Sequence, residues 1–367
     1  MSSTFGARPA GERGPQRTAL YTERRAPQVN NGAGLPRRSV SFAYAYGFTN
    51  FTGTPAPGFG GGQTLPVHFD KHAGAIENQP HNVVHDLIGG PSEGNCQGGW
   101  MSDPNCAALD PIFWLHHGNI DRLWSNWIAL GGHRHNPIDK TWLKSEFVFH
   151  DEAGKRAIMS TADVLDTVSQ LGYKYDDHVP VVARQLREAI VTPAQFEQPP
   201  QVVAATDTAT MLSGTASTVD IALAAPATRA VEKLVRTPQE SRVYLKVEGI
   251  QAQAHPGIVY EIFLNLPPRT APEDSDAYLV GHLTFFGVTR PAGGDAAHHA
   301  PDGLTHTFDI TRLVQHLHTI GEWHDDRMAV TFAPLGLTPP PGPQPEAAPR
   351  AASVHPVRIG RIAIFHH

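Results

Sequence analysis

Hydrophobic positions divide the chain into a part with helical period and a part with a period of two. Between Asp110 and Gly131-Gly132 the apolar residues Phe113, Ile120, Leu123, Trp124, Trp127 and Ile128 recur at helical spacing. Asp110 suits an N-cap, Pro111 the first helical position, and the glycine pair a stop, so the pattern predicts one long capped helix. Upstream, Pro80–Leu87 predicts a shorter helix, with Pro80 in its first turn and Gly89, Gly90 and Pro91 ending it. Trp142–Val191 reads as more helix and loop, with short periodic runs at Ala162–Leu171 and Val181–Ile190 and Tyr173-Lys-Tyr175 between them. From Arg242 alternation takes over. Val243–Gly249, Val259–Leu266, Tyr278–Phe286, Thr305–Ile310, Met328–Phe332 and Val357–Phe365 are separated by Pro, Gly and Asp breaks, the spacing of a β-sandwich, with Thr311–His318 as a helical insertion.

The expected class is therefore α+β and multidomain, a helical-bundle half followed by a C-terminal β-sandwich. The expected boundaries are 1–60 largely disordered or a truncated remnant, 61–191 the helical domain, 192–240 a linker with one or two strands, and 241–367 the β-domain, with a Pro-rich connector at 338–352. Residues 1–17 are rich in Gly, Arg, Ser and Pro without apolar periodicity and read as disordered.

Composition narrows the function by exclusion. A formal charge of −6 over 367 residues argues against nucleic acid or an anionic membrane as the main partner. No apolar leader segment and no membrane-spanning run is visible, which makes a cytoplasmic location the default expectation. The two cysteines, Cys96 and Cys106, lie between the two predicted helices. They suit either a local disulfide or a pair of reduced thiols, and their spacing is not a zinc pattern.

Candidate chemistry gathers on the helices. His81 and His85 are four apart and share one helical face. His117 falls on a stripe with Ile120, Trp124 and Ile128 and is expected to point inward. Neutral imidazoles suit copper, zinc, iron or nickel, so ligand type alone does not choose the metal.

The run Asp110-Pro-Ile-Phe-Trp-Leu-His-His-Gly-Asn-Ile-Asp121, read with Pro80-His-Asn-Val-Val-His85, resembles the signature of the second, or B, copper site of tyrosinases, catechol oxidases and hemocyanins. The resemblance implies His81, His85 and His117 as copper ligands. It makes His116 a neighbour that packs or hydrogen-bonds outside the metal, and Asp121 a carboxylate that orients a ligating imidazole; a salt bridge to Arg122 or a lysine is the alternative for Asp121. It also implies that Glu77 and Asn82 hold a water able to deprotonate a phenol, the alternative for Glu77 being a helix-start charge. Tyr173-Lys-Tyr175 is a weak match to an element that ties such a copper domain to the domain after it.

The implied chemistry is that of type 3 copper oxidoreductases and monooxygenases, the O2-dependent oxidation of phenols and o-diphenols to o-quinones. That chemistry uses two coppers with three histidines each. Before His81 only His68 and His72 are present, and they supply two histidines where three are needed. From Leu20 the text, including Asn30-Asn-Gly-Ala-Gly-Leu-Pro36, is similar to the region between the two copper motifs, so the chain is expected to start after the A-copper region. The β-half resembles the C-terminal domain of plant and bacterial polyphenol oxidases, which can lie over the copper site. Several readings stay open: a phenol oxidase, a non-enzymatic copper-binding half-protein completed by a partner chain carrying the A-copper site, an oxygen carrier, or a zinc-binding protein.

Overall fold

The computed structural model describes residues 25–26, 29, 35, 40–53, 58–61, 73–90, 92, 94–176, 201–223, 242–270, 272–288, 303–324, 326–335 and 355–366. It mixes helix and sheet. The first helical turn, α1 (Ala43–Tyr46), packs with Phe59 against the long helix α3 (Pro111–Ala129), burying Tyr46, Phe59, Leu123 and Trp127 in one cluster. The Phe59 and Trp127 rings stack at 4.3 Å. Within the stretch expected to be a disordered remnant, residues 40–53 and 58–61 pack into this core, because α3 supplies their apolar aromatics with a partner. Residues 1–17 and the runs Val181–Ile190 and 338–352 lie outside the described residues.

A kinked helical turn, Glu77–Asn82, with Gln79 in an extended conformation, leads into α2 (Val83–Ile88). The helix α3 begins as its caps dictate, with the Ile112 N–H donating to Asp110 Oδ1 at 2.9 Å. It ends before Gly131 and Gly132, whose φ values of 70° and 73° suit glycine. Asp110 also receives a buried two-pronged bond from Arg25, Nε to Oδ2 at 2.8 Å and Nη2 to Oδ1 at 2.5 Å. The cap is thereby tied to a segment 85 residues away in sequence.

Beyond α3, the region read as helix and loop holds α4 (Lys140–Leu143) and a hairpin of β1 (Glu146–His150) and β2 (Arg156–Ser160). Residues 201–222, read as linker, form β3 (Gln201–Thr206), β4 (Thr210–Leu212) and β5 (Ser217–Ala222). Their Ala and Thr content gives a weak pattern, and pairing with buried strands supplies what the sequence lacks.

The later strands are β6 (Val243–Ala252), β7 (Val259–Leu264), β8 (Leu279–Leu283), β9 (Leu304–Asp309), β10 (Arg327–Leu335), β11 (Val357–Ile359) and β12 (Arg361–His366), with α5 (Thr311–Thr319) after β9. They form an antiparallel sheet in the order β5-β10-β7-β8 and another in the order β3-β12-β6-β11-β4, with β9 beside β6. One apolar core, including Ile221, Val247, Ile262, Phe285, Phe332 and Ile364, is shared by both sheets. The expected last strand is two, broken at Gly360, whose N–H donates to the carbonyls of Glu248 and Gly249. No helix among the described residues is long and apolar enough to cross a membrane.

Candidate metal centre

His81 and His85 come from the kinked turn and α2, His116 and His117 from the second turn of α3. The ring centroids of His81 lie 4.5, 5.3 and 5.0 Å from those of His85, His116 and His117. Two rings have their outer nitrogens fixed. His81 Nδ1–H donates to Asn82 Oδ1 at 2.8 Å, and His85 Nδ1–H donates to the Met101 carbonyl at 2.6 Å. Each therefore turns Nε2, with its lone pair, towards the cluster.

One ligand-type nitrogen from each of His81, His85 and His116 lies within 4.8 Å of the other two. His116 is 1% exposed, and neither of its ring nitrogens makes a well-formed hydrogen bond, the His81 backbone being the polar group that faces it. Such orphaned buried nitrogens are costly unless something binds them. His117 is also in reach, its Nε2 3.3 Å from His85 Nε2. That is about the separation of two nitrogens held tetrahedrally at ~2.0 Å from one ion. Burial, and then any charge on His81, holds both His85 and His116 well below the usual histidine range, keeping their lone pairs free near neutral pH.

The stripe drawn through His117, Ile120, Trp124 and Ile128 is offset. The buried positions of α3 are Ile112, His116, Leu123, Asn126 and Trp127, while His117 is half-buried. The difference is one residue, about 100° around the helix, and it makes His116 an inward residue rather than an outer neighbour. Asp121 does not turn to an imidazole or to Arg122. Its Oδ2 accepts from Tyr173 at 2.8 Å and from Tyr175 at 2.5 Å, and the Tyr175 hydroxyl also lies 3.2 Å from the Gly118 carbonyl. Burial first, then the Asp121 carboxylate, raises both phenols above their ordinary value, so they stay protonated donors. Glu77 is exposed and accepts the Gly74 N–H at 2.6 Å.

Aromatic rings wall the cluster. Phe113 lies 4.0 Å from the ring of His117, and Phe286 lies 4.3 Å from His85 and 5.8 Å from His81. Phe286 sits in the turn after β8, so the β-domain reaches the histidines directly. Its neighbours are anchored in α2 and the turn before it. Buried Asp86 accepts from His255 Nε2 at 3.2 Å and from the Phe285 N–H at 2.5 Å. His306 Nδ1 meets the side-chain amide of Asn78 at 2.8 Å, and His282 Nδ1 meets Gln79 Oε1 at 2.9 Å. Neither Phe286 nor the Met101 carbonyl carried a sequence signal, one being the end of a predicted strand and the other a backbone group. Among the described residues this is the one group of three or more ligand-type side chains; His68 and His72 lie outside them.

These features define a buried histidine cluster of a kind that could hold a metal ion, faced by a β-domain. Comparison makes the class specific. Residues 15–130 match the common central domain of tyrosinase, 136–186 the polyphenol oxidase middle domain, and 199–367 a domain of unknown function. The chain is 32% identical over 289 residues to tyrosinase HcTyr1 of Hahella sp. (strain CCB-MM4), covering 78% of this chain and 57% of that protein. It is 29% identical over 285 residues to chloroplastic polyphenol oxidase A1 of Vicia faba, covering 71% and 44% respectively. Its fold is similar to that of latent apple tyrosinase (TM-score 0.57, 21% identity, 96% of this chain and 72% of that one). The chain belongs to the tyrosinase and polyphenol oxidase family. It spans about half the length of the curated relatives it matches.

Proposed function

We propose that the cluster of His81, His85, His116 and His117 holds a copper ion, and that the chain takes part in oxidising phenols or o-diphenols with O2. The observation that carries this is the convergence of ring nitrogens from His81, His85 and His116 within 4.8 Å, two of those rings oriented through Nδ1. Copper, when bound, supplies the electron transfer that couples phenol oxidation to O2 reduction. The chain's own residues do the rest. Asn82 and the Met101 carbonyl set the tautomers of His81 and His85, and the Asp121 carboxylate locks α3 to the Tyr173–Tyr175 segment. To Glu77, one turn before His81, we assign the acceptance of a phenol proton through water. Phe286 covers the His85 face on which an aromatic substrate would stack. The described form is then a closed one, with a helical half capped by a β-sandwich domain.

A second reading, a half-site completed by a partner chain that brings the other copper, is favoured by one observation. Leu109, just before α3, and Trp114 and Leu115, in the helix beside the histidine pair, are 60%, 65% and 44% exposed. Copper per chain after loading, measured with o-diphenol oxidation on the same sample, separates the readings. Near two coppers with quinone formation supports a self-sufficient oxidase, and one copper without turnover supports the half-site. No copper, or zinc bound in its place, would overturn both.

A further inference from the structure

We propose that the loop closed by the Cys96–Cys106 disulfide is a redox-sensitive clamp that positions His85 for metal. The inference rests on the copper reading above and goes beyond it by assigning the affinity of the site to a covalent bond outside the histidine cluster.

The loop joins α2 to α3, and the disulfide closes it over a sequence separation of 10. At its centre is Met101, wholly buried among Val84, Ile88, Ala107 and Ile112. Its carbonyl takes the Nδ1 proton of His85 at 2.6 Å, and that bond decides which nitrogen His85 offers inward. The same loop grips α2 by its backbone. The Gly90 N–H donates to the Gly98 carbonyl at 2.6 Å, and Ser102 Oγ donates to the His85 carbonyl at 3.4 Å.

Two things keep this carbonyl in place. Asp103 accepts from the N–H groups of Gln97 at 3.0 Å and Asn105 at 2.9 Å, folding the loop on itself. The disulfide joins its ends. Cys96 is half-buried and Cys106 is 7% exposed, so a dithiol reductant reaches the Cys96 sulfur first. Reduction breaks the S–S bond with two electrons and two protons from the dithiol, which becomes a disulfide, and leaves two thiols here. The loop then loses its closure, and the Met101 carbonyl no longer holds one position. His85 samples both tautomers, and the fraction presenting a bare Nε2 falls.

The test compares the full chain, air-oxidised, with Cys96→Ser/Cys106→Ser, which opens the loop without a reductant that would attack copper. Circular dichroism checks folding, chelator competition gives copper(II) affinity, and nitrogen-15 NMR of metal-free protein reports the His85 tautomer. The expected result is a folded variant with affinity lowered ~10–100-fold, the loss found when a group supporting a metal ligand is removed, and a mixed His85 tautomer in place of Nδ1–H. A folded variant with unchanged affinity and tautomer would overturn the clamp. Should the double variant not fold, Asp103→Ala loosens the same loop with the disulfide intact, and an unchanged tautomer and affinity there has the same force. If the oxidised chain binds no copper, the copper reading fails, while the tautomer still decides whether the loop holds His85.

Discussion

His306 couples the β-domain to the turn that carries His81, and it makes that docking sensitive to acid. The ring is buried, with Nε2 3.1 Å from the Thr284 carbonyl and Nδ1 2.8 Å from the Asn78 amide. Burial holds it down at about 4, against an ordinary 6.5, with the Thr284 bond and the Asp86 charge only partly opposing. Between these values the unfolded chain binds a proton that the folded chain refuses. Stability is therefore complete above pH 6.5 and is lost as pH falls towards about 4. At 1.36 kcal/mol per unit, the window of ~2.5 pH units corresponds to about 3 kcal/mol from this one ring. Buried His85 and His116 are lowered in the same direction and add to the slope. Substituting His306→Gln removes the titration and keeps a neutral hydrogen-bonding side chain, so it isolates the His306 share. Urea midpoints of both proteins, followed from neutral pH down to about 4, should converge as pH falls. The native chain should lose about 3 kcal/mol more than the variant. Parallel pH profiles would refute the assignment of the acid sensitivity to His306.

Other expectations follow from the histidine cluster and its supports. His116→Ala and His117→Ala should each retain copper with affinity lowered ~10–100-fold, because three imidazoles remain; the double variant should bind none by metal analysis. Full copper occupancy in the double variant would remove both from the site. Arg25→Ala leaves Asp110 buried and unpaired and should cost about 3–5 kcal/mol in denaturant unfolding, whereas Arg25→Met/Asp110→Ser, which removes both charges and keeps a cap, should cost clearly less. Phe286→Ala removes ring contacts worth about 1–2 kcal/mol in all and should strengthen binding of a phenolic inhibitor to the copper-loaded protein by ~10-fold, measured by calorimetry, with copper content unchanged.

Much of the histidine-bearing half was legible because its signals are local. Asp110, Pro111 and the glycine pair mark α3 by cap chemistry, and the His81–His85 spacing marks a shared helical face. Alternation marked the strands after Arg242, since buried positions on a sheet recur at two. What local patterns left undecided was non-local. Choosing between His116 and His117 as the inward residue required knowing whether Leu123 and Trp127 or Trp124 and Ile128 face the core, and both sets have helical period. The strands at 201–222 became readable only through β10, β11 and β12, which lie more than a hundred residues later. Phe286 reaches the imidazoles because Asp86 holds the Phe285 N–H, a contact across 199 residues that no window of sequence contains.

The grip of the β-domain on residues 78–86 has a consequence for how the molecule comes apart. Asn78, Gln79 and Asp86 are held by His306, His282 and His255, and these contacts bracket His81 and His85 on both sides. None of them depends on chain continuity between the two halves. A protease that nicks the backbone between them should leave a two-piece assembly that co-migrates as one particle in native separation, held by these contacts and by the packing of Val83 and Leu87 on Val259.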